Sequence, residues 1–256
     1  MFIAILRISL IFLLLSPSVA HADLMYGLVG WWRLQDGTIG TTCVGASVTD
    51  SSGQGNTGTC NNSPMWVSGA RKEGLSFNGS NQDINLSNDI PFGSSNFTLT
   101  TWFKTSSNTT GTFQQIWNSG YNGGNTDIEV ILNNNLAGFY ARDSSGNSFS
   151  SVTSISTVNN GNWHQVIGIR NGNVFSLYLD GAFQASVTKA LGSVDTTSVS
   201  PIIGNGASSI NNRWFNGTIS DVRVYNRALS AQEVTDLYNN GASVNNAHLN
   251  NFKLNQ

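Results

Sequence analysis

Two carboxylates stand two residues apart in Asn125-Thr126-Asp127-Ile128-Glu129. In a strand, positions i and i+2 share a face, so Asp127 and Glu129 would sit about 7 Å apart along one side, opposite Ile128 and Val130. A pair at that separation has the form of an inverting glycosidase, one group acting as acid and the other as base. Any two acids at this spacing meet that criterion, and a plain polar strand face accounts for them equally well. The preceding position on the same face is Asn125, whose amide cannot form a glycosyl-enzyme ester.

Asp50-Ser51-Ser52-Gly53-Gln54-Gly55-Asn56 is a compact oxygen-rich turn. Calcium takes hard oxygens from carboxylates, amides and backbone carbonyls. Asp50, Asn56 and the carbonyl of Gly53 are accordingly candidate ligands of a structural Ca2+, the alternative being an Asx turn. A sugar surface needs aromatic faces to stack on C–H groups, with amides and guanidinium groups to hydrogen-bond hydroxyls. Trp117 and Tyr121 lie beside the loop 122–125. Asn212, Arg213 and Trp214 lie in the loop before the last strand. If the two loops meet, these five residues form a binding platform, while Trp32, Trp102 and Trp163 are expected in the core. His164 and His248 have no neighbours in sequence that would complete a triad or a zinc site, and His164 is expected to make a structural hydrogen bond.

These residues must be positioned by short strands. Phe97 to Lys104 alternates apolar and polar residues, and so does Ile219 to Tyr225, with Val222 and Val224 on one face and Asp221, Arg223 and Tyr225 on the other. That period of two marks half-buried strands. Further strands are expected at Leu28–Leu34, Leu75–Phe77, Asp83–Leu86, Gln114–Asn118, Asp127–Leu132 and Leu136–Arg142. Trp163–Arg170 and Val174–Asp180 flank Asn171-Gly172, a two-residue hairpin turn. One helix is expected near the end: Ser230 and Glu233 form a capping box, Val234, Leu237 and Tyr238 an apolar stripe, and Gly241 a stop. Many strands followed by one helix point to an all-β, two-sheet sandwich.

Residues 1–22 have the apolar run and the small-x-small ending of a cleaved secretory signal, which leaves a domain at 23–242 and an Asn-rich tail at 243–256. An exported chain with two cysteines favours a Cys43–Cys60 disulfide. Only 10% of the 256 residues are charged, with a formal net charge of −2 and no basic patch. Nucleic acid is thus a poor partner, as is a membrane once the signal is removed. A secreted, cell-surface or periplasmic location follows from the signal.

Several stretches together carry a family resemblance: LVGWWRLQDG, VTDSSGQGNTGT, LSFNGSNQDINL, FTLTTWFKT, NWHQVIGIRNGNVFSLYLDG and ISDVRVYNRALSAQEVTDLYNNG. In this order the chain resembles the laminin-G-like jelly rolls of the concanavalin A-like lectin/glucanase group, from Leu28 to Gly241. The resemblance implies an antiparallel jelly roll and adds Asp221, on the late strand, to the calcium ligands. Laminarinase-type glucanases of this group carry E-x-D-x-E where this chain has Asn125, Asp127 and Glu129, so the resemblance puts an amide at the nucleophile position and the reading leans to a chain that is not an enzyme. The ending is also similar to pentraxins, but Asn205-Gly206-Ala207 lacks the carboxylates of their ligand-bridging calcium. The expectation is a secreted, non-catalytic domain that binds carbohydrate or glycoconjugate. A glycoside hydrolase or polysaccharide lyase of the same fold, or an adhesion module for an extracellular protein, are the alternatives.

Overall fold

The computed structural model describes residues 24–120, 126–149, 151–194, 200–206 and 213–240. The expected signal segment and the tail at 243–256 lie outside these residues. The first strands are β1 (Leu28–Trp32), β2 (Gly45–Val48), β3 (Gly58–Asn61), β4 (Met65–Ser68), β5 (Glu73–Asn78) and β6 (Asp83–Leu86). The middle of the chain supplies β7 (Phe97–Lys104), β8 (Phe113–Gly120), β9 (Asp127–Asn133), β10 (Leu136–Arg142) and β11 (Val152–Thr153). Then come β12 (Trp163–Asn171), β13 (Val174–Leu179), β14 (Ala182–Thr188), β15 (Ile202–Ile203), β16 (Asn216–Tyr225) and helix α1 (Ala231–Asn240).

The strands form two antiparallel sheets. The first runs β14-β13-β12-β7-β16-β5-β4, with β1 also paired to β16, and the second runs β11-β10-β9-β8-β15-β6-β3-β2. The expected all-β sandwich with one short C-terminal helix is the fold observed. Its core lies between the sheets, where Trp32, Phe103, Trp117, Val130, Phe139 and Phe175 are all fully buried. The Asn171-Gly172 turn joins β12 to β13 in register, Asn171 opposite Val174, with Gly172 at φ 59°, where a side chain would be strained.

The strand expected to be half-buried, now β16, is buried on both faces. Val222 and Val224 enter the main core. On the opposite face Tyr225 joins a second cluster with Leu28, Trp31, Ile167, Ile169 and the helix residues Val234 and Leu237. The capping box that starts the helix is formed: Ser230 N–H donates to Glu233 Oε2 at 2.7 Å and Glu233 N–H to Ser230 Oγ at 3.3 Å. Tyr238 does not enter the cluster but stacks on Trp102 at 5.5 Å and 13°. Trp163, expected in the core, is half-exposed at the end of β12 beside Lys104.

Cys43 and Cys60 form the expected disulfide, tying the loop before β2 to β3. No helix among the described residues is long and apolar enough to cross a membrane. Replacing both cysteines by Ala should lower the unfolding free energy by about 3 kcal/mol, since the bridge closes a loop of modest length. Urea unfolding followed by tryptophan fluorescence checks this, and an unchanged midpoint would show that the bridge contributes nothing.

Candidate functional site

The acidic pair lies on the outer face of the second sheet, and the pleat explains why. Ile128, Val130 and Leu132 fill the core with no exposure, so the alternate residues Asp127, Glu129 and Ile131 must point the other way. Register supplies their neighbours. Glu129 stands between Asn118 of β8 and Tyr140 of β10, Asp127 stands opposite Arg142, and Ile131 opposite Gln115. A bulge in β8 between Gln115 and Trp117 lets Gln115 and Asn118 share this face while Trp117 points into the core.

An outer face would ordinarily be solvated, yet its centre is dry. Asp127 is 3% exposed, Glu129 4%, and Gln115 and Asn118 not at all. The two carboxyl groups share this buried face, so a charge on Glu129 opposes one on Asp127. Burial, reinforced by the Glu129 charge, pushes the Asp127 carboxyl up to about 9. Asn118 Nδ2 donates to Asp127 Oδ1 at 3.1 Å. From the other side, Arg213 Nη1 lies 3.4 Å from Glu129 Oε1, with its guanidinium over the Phe113 ring at 4.9 Å.

Polar capacity is left over. Both amide atoms of Gln115 and the Oδ1 of Asn118 are buried without a hydrogen-bond partner in the protein. Such groups are scarce in folded proteins because each costs about 1–3 kcal/mol. Gly206 is needed beside them: a Cβ there would fall 1.9 Å from Gln115 Oε1. The sequence pattern exposed the two acids but not Gln115 or Asn118, since amides are common in this chain and only the bulge brings them to one face.

A glycosidase pair flanks the scissile bond with both carboxyls open to substrate, whereas Asp127 is 3% and Glu129 4% exposed. Asn125 lies outside the described residues.

Of the expected platform, Arg213 reaches the acidic pair and Trp214 is half-buried in the same loop. Trp117 is corrected: it is fully buried, with its ring 5.6 Å from that of Trp32. Tyr121 and Asn212 lie outside the described residues.

The expected calcium ligands are already committed to other partners. Asp50 Oδ1 accepts the N–H groups of Trp31 and Ser52, and Oδ2 that of Asn56, each at 2.9 Å. Asn56 donates to Val29 O and accepts from Trp32 Nε1. Gly53 is a turn residue at φ 86°. Asp221 is bound by Arg223 through two bonds of 2.8 and 2.7 Å and by Trp31 Nε1 at 2.6 Å. A guanidinium seated on the carboxylate does not fit a cation cage, and the described residues hold no cluster of three or more metal-ligating acids, histidines or cysteines. The same Asp-Ser-Ser-Gly turn recurs at Asp143, whose carboxylate accepts from Ser145, Asn147 and Gly192. His164 bonds Asp180 at 2.8 Å and Asn160 at 3.1 Å, the structural role expected of it.

A family model described as the concanavalin A-like lectin/glucanases superfamily matches residues 78–235, and the chain belongs to that superfamily. No curated protein matches the sequence. Among solved structures, the chain is similar to the binding domain of Paraclostridial Mosquitocidal Protein 1, with TM-score 0.70 and 19% identity over 86% of this chain and 53% of that one. It is similar to Domain 4 of AbnA, a GH43 extracellular arabinanase from Geobacillus stearothermophilus solved with arabinotriose, with TM-score 0.65 and 17% identity over 82% and 98%. The botulinum neurotoxin serotype D binding domain gives TM-score 0.65 and 15% identity over 84% and 51%. The chain thus spans about half of each toxin binding domain, and these likenesses establish the fold alone.

Two outcomes follow. EDTA should leave the melting temperature where excess calcium leaves it, because Arg223 already neutralises Asp221; a clear drop in EDTA would reinstate the metal. The native Asp127 carboxyl keeps its proton to about 9, while the unfolded one releases it near about 4. The native state therefore binds the extra proton between these values. Its contribution is full below about 4 and declines as pH rises through about 9. Asp127→Asn should lack that decline, so its stability should gain on the wild type as pH rises in urea titrations. Parallel profiles would show that the Asp127 carboxyl holds no extra proton.

Proposed function

We propose that the domain binds carbohydrate on the outer face of the second sheet, around Asp127 and Glu129, without cleaving it. The observation that carries this reading is the part-exposed set of Tyr140, Arg213 and Trp214 around the buried polar centre. Aromatic rings and a planar guanidinium are the groups that stack on and hydrogen-bond a sugar. Tyr140 and Trp214, both half-exposed, supply the aromatic rim. Burial of both acids supports binding over hydrolysis. The disulfide suits an oxidising, extracellular setting, in keeping with secretion. That Domain 4 of AbnA was solved with arabinotriose supports a sugar ligand for this fold and leaves its identity open.

Trp214→Ala tests the reading: it should weaken glycan binding about tenfold or more, read by isothermal titration against a glycan panel, and unchanged binding would remove the site. Gln115→Leu keeps volume and removes the unpartnered atoms, so it should raise the unfolding free energy by about 1–3 kcal/mol, the cost of the unmet amide, in urea unfolding.

A further inference from the structure

A cleft opens at one end of the sandwich, where the chain crosses from the second sheet to the first. Three segments wall it: the 50–56 turn, the connection between β6 and β7 at 87–96, and the end of β16 at Tyr225 and Asn226. Its volume is about 460 Å³, within the range of about 300–1,000 Å³ that small-ligand sites occupy. It shares no lining residue with the outer face around Asp127 and Glu129.

The walls are held by hydrogen bonds while the rim is not. Asp50 fixes the turn through the N–H groups of Trp31, Ser52 and Asn56. Asn88 Nδ2 donates to Asn56 Oδ1 at 3.2 Å and ties the turn to the connection. At the far end of the connection, Asn96 Oδ1 accepts the Gly172 N–H at 2.7 Å, which pins it to the β12–β13 turn. Gln54, Ser95 and Asn226, one from each segment, are exposed, and their side chains have no hydrogen-bond partner among the described residues. Fixed walls with free polar groups converging from separate segments reduce the ordering cost of binding.

Charge sets the ligand class. No Lys or Arg is among the described residues that line the cleft, so nothing there would offset the desolvation of an anion. Its one charged lining residue, Asp89, is already engaged within the protein. The free groups are two amides and a hydroxyl, which donate and accept without carrying charge. Val29, half-buried, and Pro91, exposed, add apolar surface, with Ile90 and Phe92 of the core behind them. A sugar ring joins an apolar C–H face to a rim of hydroxyls and so matches both kinds of surface.

We propose that this cleft binds a neutral sugar unit, with its hydroxyls on Gln54, Ser95 and Asn226 and its C–H face on Val29 and Pro91. It is a second site, and it does not rest on the outer-face reading above.

The test titrates the purified protein with cellotriose, xylotriose, mannotriose and maltotriose, with trigalacturonate as the anionic probe. Calorimetry reads the heat, and NMR reads the side-chain amide signals of Gln54 and Asn226. At least one neutral sugar should move both signals. Ser95→Trp, which places a large ring in the cleft from an exposed position, should weaken that sugar about tenfold or more. Asn226→Ala should weaken it about two- to tenfold, the loss of one hydrogen bond. Amide signals that no neutral sugar moves, or that trigalacturonate moves at a lower concentration than any neutral sugar, overturn the proposal. Heat that survives Ser95→Trp but is lost in Trp214→Ala also overturns it and leaves the outer-face site standing. Should Ser95→Trp fail to fold, the amide signals of the unaltered protein decide alone.

Discussion

The contact between Trp32 and Trp117 organises this molecule. One ring comes from β1 of the first sheet and the other from β8 of the second, and both are fully buried at 5.6 Å. Two such side chains bury several hundred square ångströms of apolar surface, which is worth several kcal/mol by the usual area scaling. The contact also sets the facing of β8. With Trp117 held inward, Asn118 must point outward, and the bulge before Trp117 sends Gln115 outward as well. The core and the candidate site are therefore two faces of one constraint.

Buried carboxylates show how the chain separates structure from function. Asp50 and Asp143 are satisfied by backbone N–H groups, which clip a turn to another element at no cost in unpaired charge. Asp221 is satisfied by Arg223 and the Trp31 indole, at the β16 bulge where its φ is 52°. In all three, each carboxylate oxygen accepts at least one hydrogen bond. Asp127 and Glu129 are different: burial pushes the Asp127 carboxyl up, and beside the pair stand amides with no partner in the protein. Departures of this kind from a balanced interior tend to fall at functional or strained sites.

The longer strands were legible because their residues alternate strictly. Phe97–Lys104, Asp83–Leu86 and Leu136–Arg142 have the bounds that the pattern indicates. The helix start was equally plain, since a capping box is a local device that needs no distant partner. The strands that the pattern does not reveal, β2, β3, β4, β11 and β14, are short or lie at or near sheet edges. Neighbouring strands define them more than any period of their own does. Trp117 was misplaced for a related reason: its parity is set by a bulge, and a bulge has no composition signal. Asp50 was legible as an oxygen-rich turn but not as a satisfied one, because its bond to Trp31 N–H joins residues nineteen apart in sequence.

Local chemistry was enough to establish the class of fold, the cysteine pairing, the helix cap and the presence of two acids on one strand face. Each rests on residues close together in sequence or on a periodicity that any observer can count. Burial of that outer face, the approach of Arg213 and the isolation of Gln115 and Asn118 came from long-range packing. A strand pattern says which way a side chain points. Whether water reaches it depends on segments brought over it from elsewhere in the chain.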